Sequence, residues 1–369
     1  MRRLVQSLLG LTMVFLLSSV VPVSAEQATD PHQRPGRPGA APAPIPMVEP
    51  GVSIQALAAV NESVVYAGSF GAGMFRSDNR GTSWVADAAG LTDTFVLSMT
   101  VGQNGTVYAG TFRGGVFRRT TSGTVWEPIN EGLKRLEVKA LLASQGYIYA
   151  GTADGVYRRK DAPGAQTWTV VSSGLDDILV HALGRANDGT LFAGTSGKGV
   201  LRHREQKAAK PKSGADKESA GWVRLRQGLK DHEGLVENYI RVITLSRSQA
   251  LYIGTFDGGV FLSEDLGETW RPISRALPND SIRGILSADG RLIVATGRGI
   301  FRTDNNGQKW VPLNKGLTEL SIQALVSAGE RTLYAGTSGG AFRSDDEGGT
   351  WVEINQGLQV RSESPFSFQ

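Results

Sequence analysis

Seven tryptophans occur in the chain, Trp84, Trp126, Trp168, Trp222, Trp270, Trp310 and Trp351, at spacings of 42, 42, 54, 48, 40 and 41 residues. Each marks the same phrase. An apolar run such as Ile54-Gln55-Ala56-Leu57 comes first, then one such as Val107-Tyr108-Ala109-Gly110-Thr111, then one such as Gly259-Val260-Phe261, and finally the tryptophan segment and a Gly-Leu. Four short strands in a repeat of about 40 to 45 residues predict a propeller blade, because a twisted four-stranded sheet buries both faces only between like neighbours. The near-continuous apolar inner runs agree with sheets covered on both sides. The expected fold is all-β: a seven-bladed β-propeller with blades near 52–90, 91–132, 133–174, 175–228, 229–277, 278–316 and 317–358. The repeats run in phase from Ile54 to Leu358, so no exchange of a terminal strand is needed to close the ring.

Ahead of the repeats the chain begins with Arg2-Arg3, an apolar stretch from Leu8 to Val21 and the small-residue site Val23-Ser24-Ala25. That order predicts a cleavable secretory signal over 1–25, with an uncleaved N-terminal anchor as the alternative. The apolar stretch is shorter than the roughly 20 residues that span a bilayer, so stable membrane insertion is not expected. Residues 26–50, rich in Pro, Ala, Gln and Gly, read as a tether, and 51–369 as the propeller with a short C-terminal tail. The expected location is therefore the periplasm or the extracellular side of a bacterial envelope.

There is no cysteine, which excludes disulfides, thiolate metal sites and a cysteine nucleophile. The formal charge of +4 loses two units with Arg2 and Arg3, and so gives no basis for a nucleic-acid partner. No cofactor is expected.

Between the third and fourth strands lies a signature, complete in Ser263-Glu264-Asp265-Leu266-Gly267-Glu268-Thr269-Trp270 and again from Ser344 through Asp346 to Trp351. Variants at Ser77–Trp84 and Thr303–Trp310 carry Asn79 and Asn305 in the Asp place, while the second, third and fourth blades keep little beyond the tryptophan. The Asp or Asn is expected to accept from turn amides, the Gly to supply a left-handed conformation and the Trp to pack its hairpin against the blade. The signature resembles the Asp box, or BNR repeat, over Gly51 to Leu358. In style the repeats are similar to those of photosystem II assembly and stability factors and of sialidase-like propellers. The resemblance implies architecture and leaves activity open. No Arg-Ile-Pro of the sialidase type occurs, and the inner strands hold no facing carboxylate pair of the kind glycosidases require. No catalytic residue is assigned.

Ligands of propellers sit at one mouth of the channel, formed by the loops entering the inner strands and joining the second and third strands. Counting back from the inner Ala-Leu, the equivalent position holds Gln55, Leu97, Lys139, His181, Arg241, Arg283 and Gln323. Arg113, Lys198 and Arg298 add positive charge from the second-to-third loops, partly balanced by Asp154 and Asp257. A basic arc over blades three to six, Lys139, His181, Arg241 and Arg283, is expected to hold a carboxylate, a phosphate or an acidic peptide tail. Solvated side chains at a channel mouth are the competing reading. His181 has no partner carboxylate nearby in the repeat and reads as channel-lining.

The step from tryptophan to the next inner strand is 12 residues in most blades but 18 after Trp222, which places Asp231, His232, Glu233 and Glu237 in a candidate lid above Arg241. They are the one cluster suited to metal or acid–base work, but three adjacent ligand types cannot all converge on one ion, so no metal site is assigned. A second insertion between His203 and Gly221, with Lys207, Lys210, Lys212 and Lys217, is expected on the opposite face. The Phe-Arg pairs ending the third strands recur in most blades and read as structural, packing their stems and bonding loop carbonyls.

Two functions follow as expectations. One is an exported, non-catalytic scaffold holding an acidic or extended segment of a protein partner, such as an assembly factor for an envelope complex. The other is a hydrolase or lyase acting on an acidic glycan.

Overall fold

The computed structural model describes residues 51–162, 164, 167–172, 177–204, 221–230, 238–279, 281–288 and 291–359. The chain divides into two units, 1–48 and 49–369, and all described residues belong to the second. The signal, the tether, the candidate lid and the lysine-rich insertion lie outside the described residues.

Those residues form seven four-stranded antiparallel sheets, each built from four consecutive strands. The inner strands are Ile54–Ala59, Val96–Val101, Val138–Ser144, Val180–Arg185, Ile240–Leu245, Ile282–Ala288 and Ile322–Ala328. Each packs against the next, and the seventh against the first, so the ring closes by ordinary blade packing, as the phase of the repeat predicts. Among the described residues no helix is long and apolar enough to cross a membrane.

The core lies between blades. The first residue of every inner strand, always Ile or Val, is wholly buried. In most blades it fills the notch left by the glycine of the preceding blade's second strand. A Cβ on Gly68 would lie 2.4 Å from Val96, and one on Gly336 would lie 2.6 Å from Ile54 across the seam between blades seven and one. The residue after this glycine is a buried Ser or Thr whose hydroxyl donates to the carbonyl closing the next hairpin, as in Thr255 to Gly259 at 3.1 Å. The Ala-Gly-Thr phrase thus encodes close blade approach and a capped hairpin together.

The tryptophans pack with their own blade, Trp126 against Val107 and Phe117 and Trp84 against Val65 and Phe75, and they also tie that blade to the one before. Their indole N–H groups reach back to the preceding blade: Trp126 donates to Asp87 O at 2.7 Å, Trp351 to Leu313 O at 2.8 Å, and Trp84, across the seam, to Ile354 O at 2.7 Å. Backbone amides repeat the link, with Trp84 N donating to Gln356 O at 2.8 Å. The Gly-Leu phrase serves the same joint. Gly90, Gly132, Gly228, Gly316 and Gly357 have positive φ, and a Cβ on any of them would fall 2.1–2.3 Å from the next blade's tryptophan carbonyl oxygen. Trp270 departs from the pattern, since its indole nitrogen has no hydrogen-bond partner among the described residues.

The aspartates of the signature act within their own turn. Asp265 Oδ1 accepts from Thr269 N at 2.9 Å and from Ser263 Oγ at 2.7 Å, while Gly267 N donates to Ser263 Oγ at 2.7 Å. Asp346 repeats this with Thr350 and Ser344, and Asn79 and Asn305 keep its Oδ1 half. Asp346 is held below the usual carboxylate range first by the Thr350 amide and then by the Ser344 hydroxyl. The third-strand arginines are structural, but several bond carboxylates where carbonyls were expected: Arg76 to Asp78, Arg118 to Glu127, and Arg202 to Glu268 of the next blade. At the seam Arg80 pairs with Asp345 at 2.7 Å, and Arg343 donates to Arg80 O.

Candidate functional site

In all seven blades the pairing of first and second strands slips by one residue near the start of the inner strand. Ile240 pairs with Thr255 and Val242 with Gly254, which leaves Arg241 as the extra residue, and the same shift leaves Gln55, Leu97, Lys139, His181, Arg283 and Gln323. A β-bulge bends its strand and re-aims the side chain it carries. Here it separates a fully buried first residue from a half-buried second one. The seven positions counted off by alignment therefore form a structural ring, at the end where inner strands begin and second strands finish.

Neighbours on this ring sense one another. His181 is pushed down to about 4, first by burial and then by Lys139 and Arg241, so it carries no charge at neutral pH. Arg241 is lowered to about 10 by burial and by Arg283, and stays cationic. Burial also lowers Arg283, which donates to Gln323 Oε1 at 3.2 Å. Lys139 Nζ is paired with Glu137 at 2.9 Å. The basic arc is thus narrower than the sequence implied: His181 is neutral, Lys139 is balanced, and the uncompensated charge is Arg241 with Arg283.

These two guanidinium groups have no carboxylate partner among the described residues. Among the described residues Arg241 Nη1 and Arg283 Nε are buried without a hydrogen-bond acceptor, and the Arg241 guanidinium lies 4.6 Å from the centre of the Phe256 ring. A half-buried cation with open donors is a receptor for an anion.

Of the other expected mouth residues, Arg113, Lys198, Arg298 and Asp257 are exposed on the second-to-third loops. Asp154 balances charge from within the loop, pairing with the exposed Lys134 at 3.8 Å. It is buried and accepts from the Tyr157 hydroxyl at 3.0 Å and the Asp177 amide at 3.3 Å, so it shapes the loop. Asp231, His232, Glu233 and Glu237 lie outside the described residues. Among those described, no group of three or more His, Cys, Asp or Glu could hold a metal ion.

Two features of the mouth were not read from the sequence. Glu137 stands one residue before the inner strand, outside the positions that the repeat alignment compares. The second feature is aromatic: Phe70, Phe112 and Phe256 occupy one repeat position, directly after the second strand, and Phe95 and Tyr239 the position before the inner strand. Phe70, Tyr239 and Phe256 are each at least half exposed. The signal was present, because other blades hold Ala, Ser or Gly after the second strand, and large apolar groups that break a repeat's symmetry on its surface mark contact. Near Phe112 a cavity of about 420 Å³ opens between blades two and three, with Leu136, Ala153, Arg113, Arg135, Glu137 and Asp177 around it.

His181 gives a direct test of this electrostatic picture. Its folded value is depressed, so between about pH 6.5 and 4 the unfolded chain takes up a proton that the folded chain refuses, and stability falls as the pH drops through that window. The expected result is that His181→Gln flattens the pH dependence of denaturant midpoints across this window. A variant that follows the parent curve would contradict it.

Fold and mouth together define the chain as a seven-bladed β-propeller with an asymmetric, partly cationic channel mouth. No protein-family model matches the chain, and no curated protein matches it in sequence. Solved structures do match in fold. The extracellular domain of BT3049, a hybrid two-component system protein of B. thetaiotaomicron, gives a TM-score of 0.64 at 18% identity, covering 80% of this chain and 39% of that one. YCF48 bound to a D1 peptide gives 0.59 at 14%, covering 80% and 93%. The GH74 enzyme of Niastella koreensis gives 0.60 at 14%, covering 84% and 55%. The chain thus spans about two fifths of the BT3049 domain, about half of the hydrolase and nearly all of YCF48. At these identities the likeness is one of fold, and it includes an enzyme and a peptide-bound protein alike.

Proposed function

We propose that this chain is an exported, non-catalytic binding propeller that holds an extended, acidic segment of a partner polypeptide at its channel mouth. The observation carrying this reading is the Arg241–Arg283 pair: adjacent, half-buried, cationic, without a carboxylate partner among the described residues and with donor atoms left open. A carboxylate of a flexible segment would supply the missing acceptors at little cost in shape. The peptide-bound state of YCF48, which this chain matches over nearly the whole of that protein's length, supports a polypeptide ligand, and a role in assembling an envelope complex is part of the proposal. The signal-like 1–25, the tether-like 26–50 and the turn hydrogen bonds of Asp265 and Asp346 support export and membership of the Asp-box repeats.

A labelled Glu-rich dodecapeptide tests this reading by fluorescence anisotropy. Binding should weaken steeply with salt and be lost when Arg241→Glu and Arg283→Glu are combined, whereas binding that ignores both changes would remove it. The glycan-active alternative is supported by the GH74 likeness in fold alone. Turnover of an acidic oligosaccharide that is lost in Glu233→Gln or Glu237→Gln would establish it instead.

A further inference from the structure

The mouth carries an open cationic pair on blades five and six, beside the exposed Phe256 and Tyr239, and an aromatic-rimmed cavity on blades two and three. Because blades pack in chain order and the seventh closes on the first, blade two lies three places from both blades five and six, the greatest separation seven blades allow, and blade three lies three places from blade six and two from blade five. Arg241 and Arg283 occupy one side. On the other, the Phe70 and Phe95 rings meet edge to face at 4.8 Å, with 55% and 37% of their surface exposed, and the Phe112 amide donates to Phe95 O at 3.0 Å. Phe112, Leu136 and Ala153 then form the apolar side of the cavity of about 420 Å³. The apolar floor of Phe112, Leu136 and Ala153 is rimmed by charge: Lys139 pairs with Glu137, Arg113 and Arg135 stand against Asp177 with one positive charge in excess, and Arg113 and Lys139 lie 5.2 and 5.5 Å from the centre of the Phe112 ring.

We infer that this cavity is an anchor pocket for one bulky apolar side chain, Phe, Leu or Met, of the same segment whose carboxylates meet Arg241 and Arg283. The inference rests on the proposed peptide-binding role and adds direction to it: the segment crosses the mouth with its acidic end on blades five and six and its apolar anchor on blades two and three. Exposed aromatic rings beside a concave apolar surface are the usual form of such an anchor, and a pocket of this volume suits a large side chain. Backbone-extended ligands take up alternating side chains in this way, one pocket setting register and charge setting orientation.

The probes are labelled peptides that place three Glu at one end and one Phe at the other, joined by Gly-Ser spacers of four to eight residues, with matched peptides in which the Phe is Gly or the Glu are Gln. With the full-length protein, the Phe should raise affinity about tenfold or more at one spacer length, as burial of an aromatic ring allows. Leu136→Ser, at a position already 39% exposed, and Ala153→Gln, which fills the cavity, should each remove that gain and leave the Phe-to-Gly peptide unchanged. Salt-sensitive, arginine-dependent binding to which Phe adds nothing at any spacing overturns the anchor and leaves the acidic-segment reading intact. If no peptide of the set binds, both fall. A neutral glucan oligosaccharide whose binding is lost in Leu136→Ser, while Phe adds nothing to the peptides, also overturns the anchor.

Discussion

Combining Arg241→Glu with Arg283→Glu lowers the affinity for a Glu-rich peptide about a hundredfold or more, with little change in melting temperature. Hydrogen bonds to charged groups contribute roughly 1.5–3 kcal/mol each, so losing even one from each guanidinium removes about 3 kcal/mol, which is about two decades in the dissociation constant. Glutamate also reverses the local field, which adds repulsion at the place the carboxylate would occupy. The fold tolerates the change because neither arginine has an ion-pair partner to lose among the described residues, and each already buries an unmet donor. Arg241→Gln with Arg283→Gln should fall between parent and charge reversal, since the glutamines donate hydrogen bonds without charge. Unchanged affinity would show that the pair is a solvated ornament. A loss of stability equal to the loss of binding would show that it is structural.

The second large effect is on the joints between blades. Gly357→Ala, at the seam, and Gly132→Ala, within the ring, should each destabilise the propeller by about 3 kcal/mol or more. Both residues have a φ near +90°, which costs an alanine roughly 1–2 kcal/mol by itself. Each new Cβ also falls 2.1–2.3 Å from a tryptophan carbonyl oxygen of the next blade, so backbone must move against backbone and the Trp amide hydrogen bond beside it is strained. Gly197→Ala separates the two costs, because Gly197 has a φ of 89° but nothing within 4 Å of the built Cβ. It should lose only the first, smaller part. Denaturant unfolding of the three variants measures the difference, and equal losses in all three would refute a steric role for the Gly-Leu phrase.

The seven blades, their order and their strands were legible because the blades repeat one buried solution: an Ile or Val at the head of every inner strand, a glycine to receive the next one in all blades but the sixth, and a tryptophan. A feature repeated seven times averages out local ambiguity. The purpose of the tryptophans was harder to see, since Trp84 is 270 residues from the Ile354 carbonyl it bonds and nothing in a linear pattern distinguishes its own blade from the one before. The ring Gln55, Leu97, Lys139, His181, Arg241, Arg283, Gln323 was found by alignment, yet the bulge that makes it a ring is a matter of pairing register between two strands, which residue types alone do not specify.

Charge at the mouth shows where reading by position stopped. Lys139, His181, Arg241 and Arg283 look alike when aligned, but burial beside two cations neutralises His181, Glu137 answers Lys139, and only Arg241 and Arg283 remain open. Phe70, Phe112 and Phe256 stand in the repeat like core residues, because an apolar residue reads as core until its exposure is known. The sequence by itself determined the number of blades, their strand order and the residue that heads each mouth position, since these follow from a periodic pattern of buried side chains. Only the tertiary structure decided which of those residues keeps its charge, which aromatic rings stay in water and which blades lie opposite one another, because ionisation and exposure depend on neighbours that ring closure brings together from distant parts of the chain.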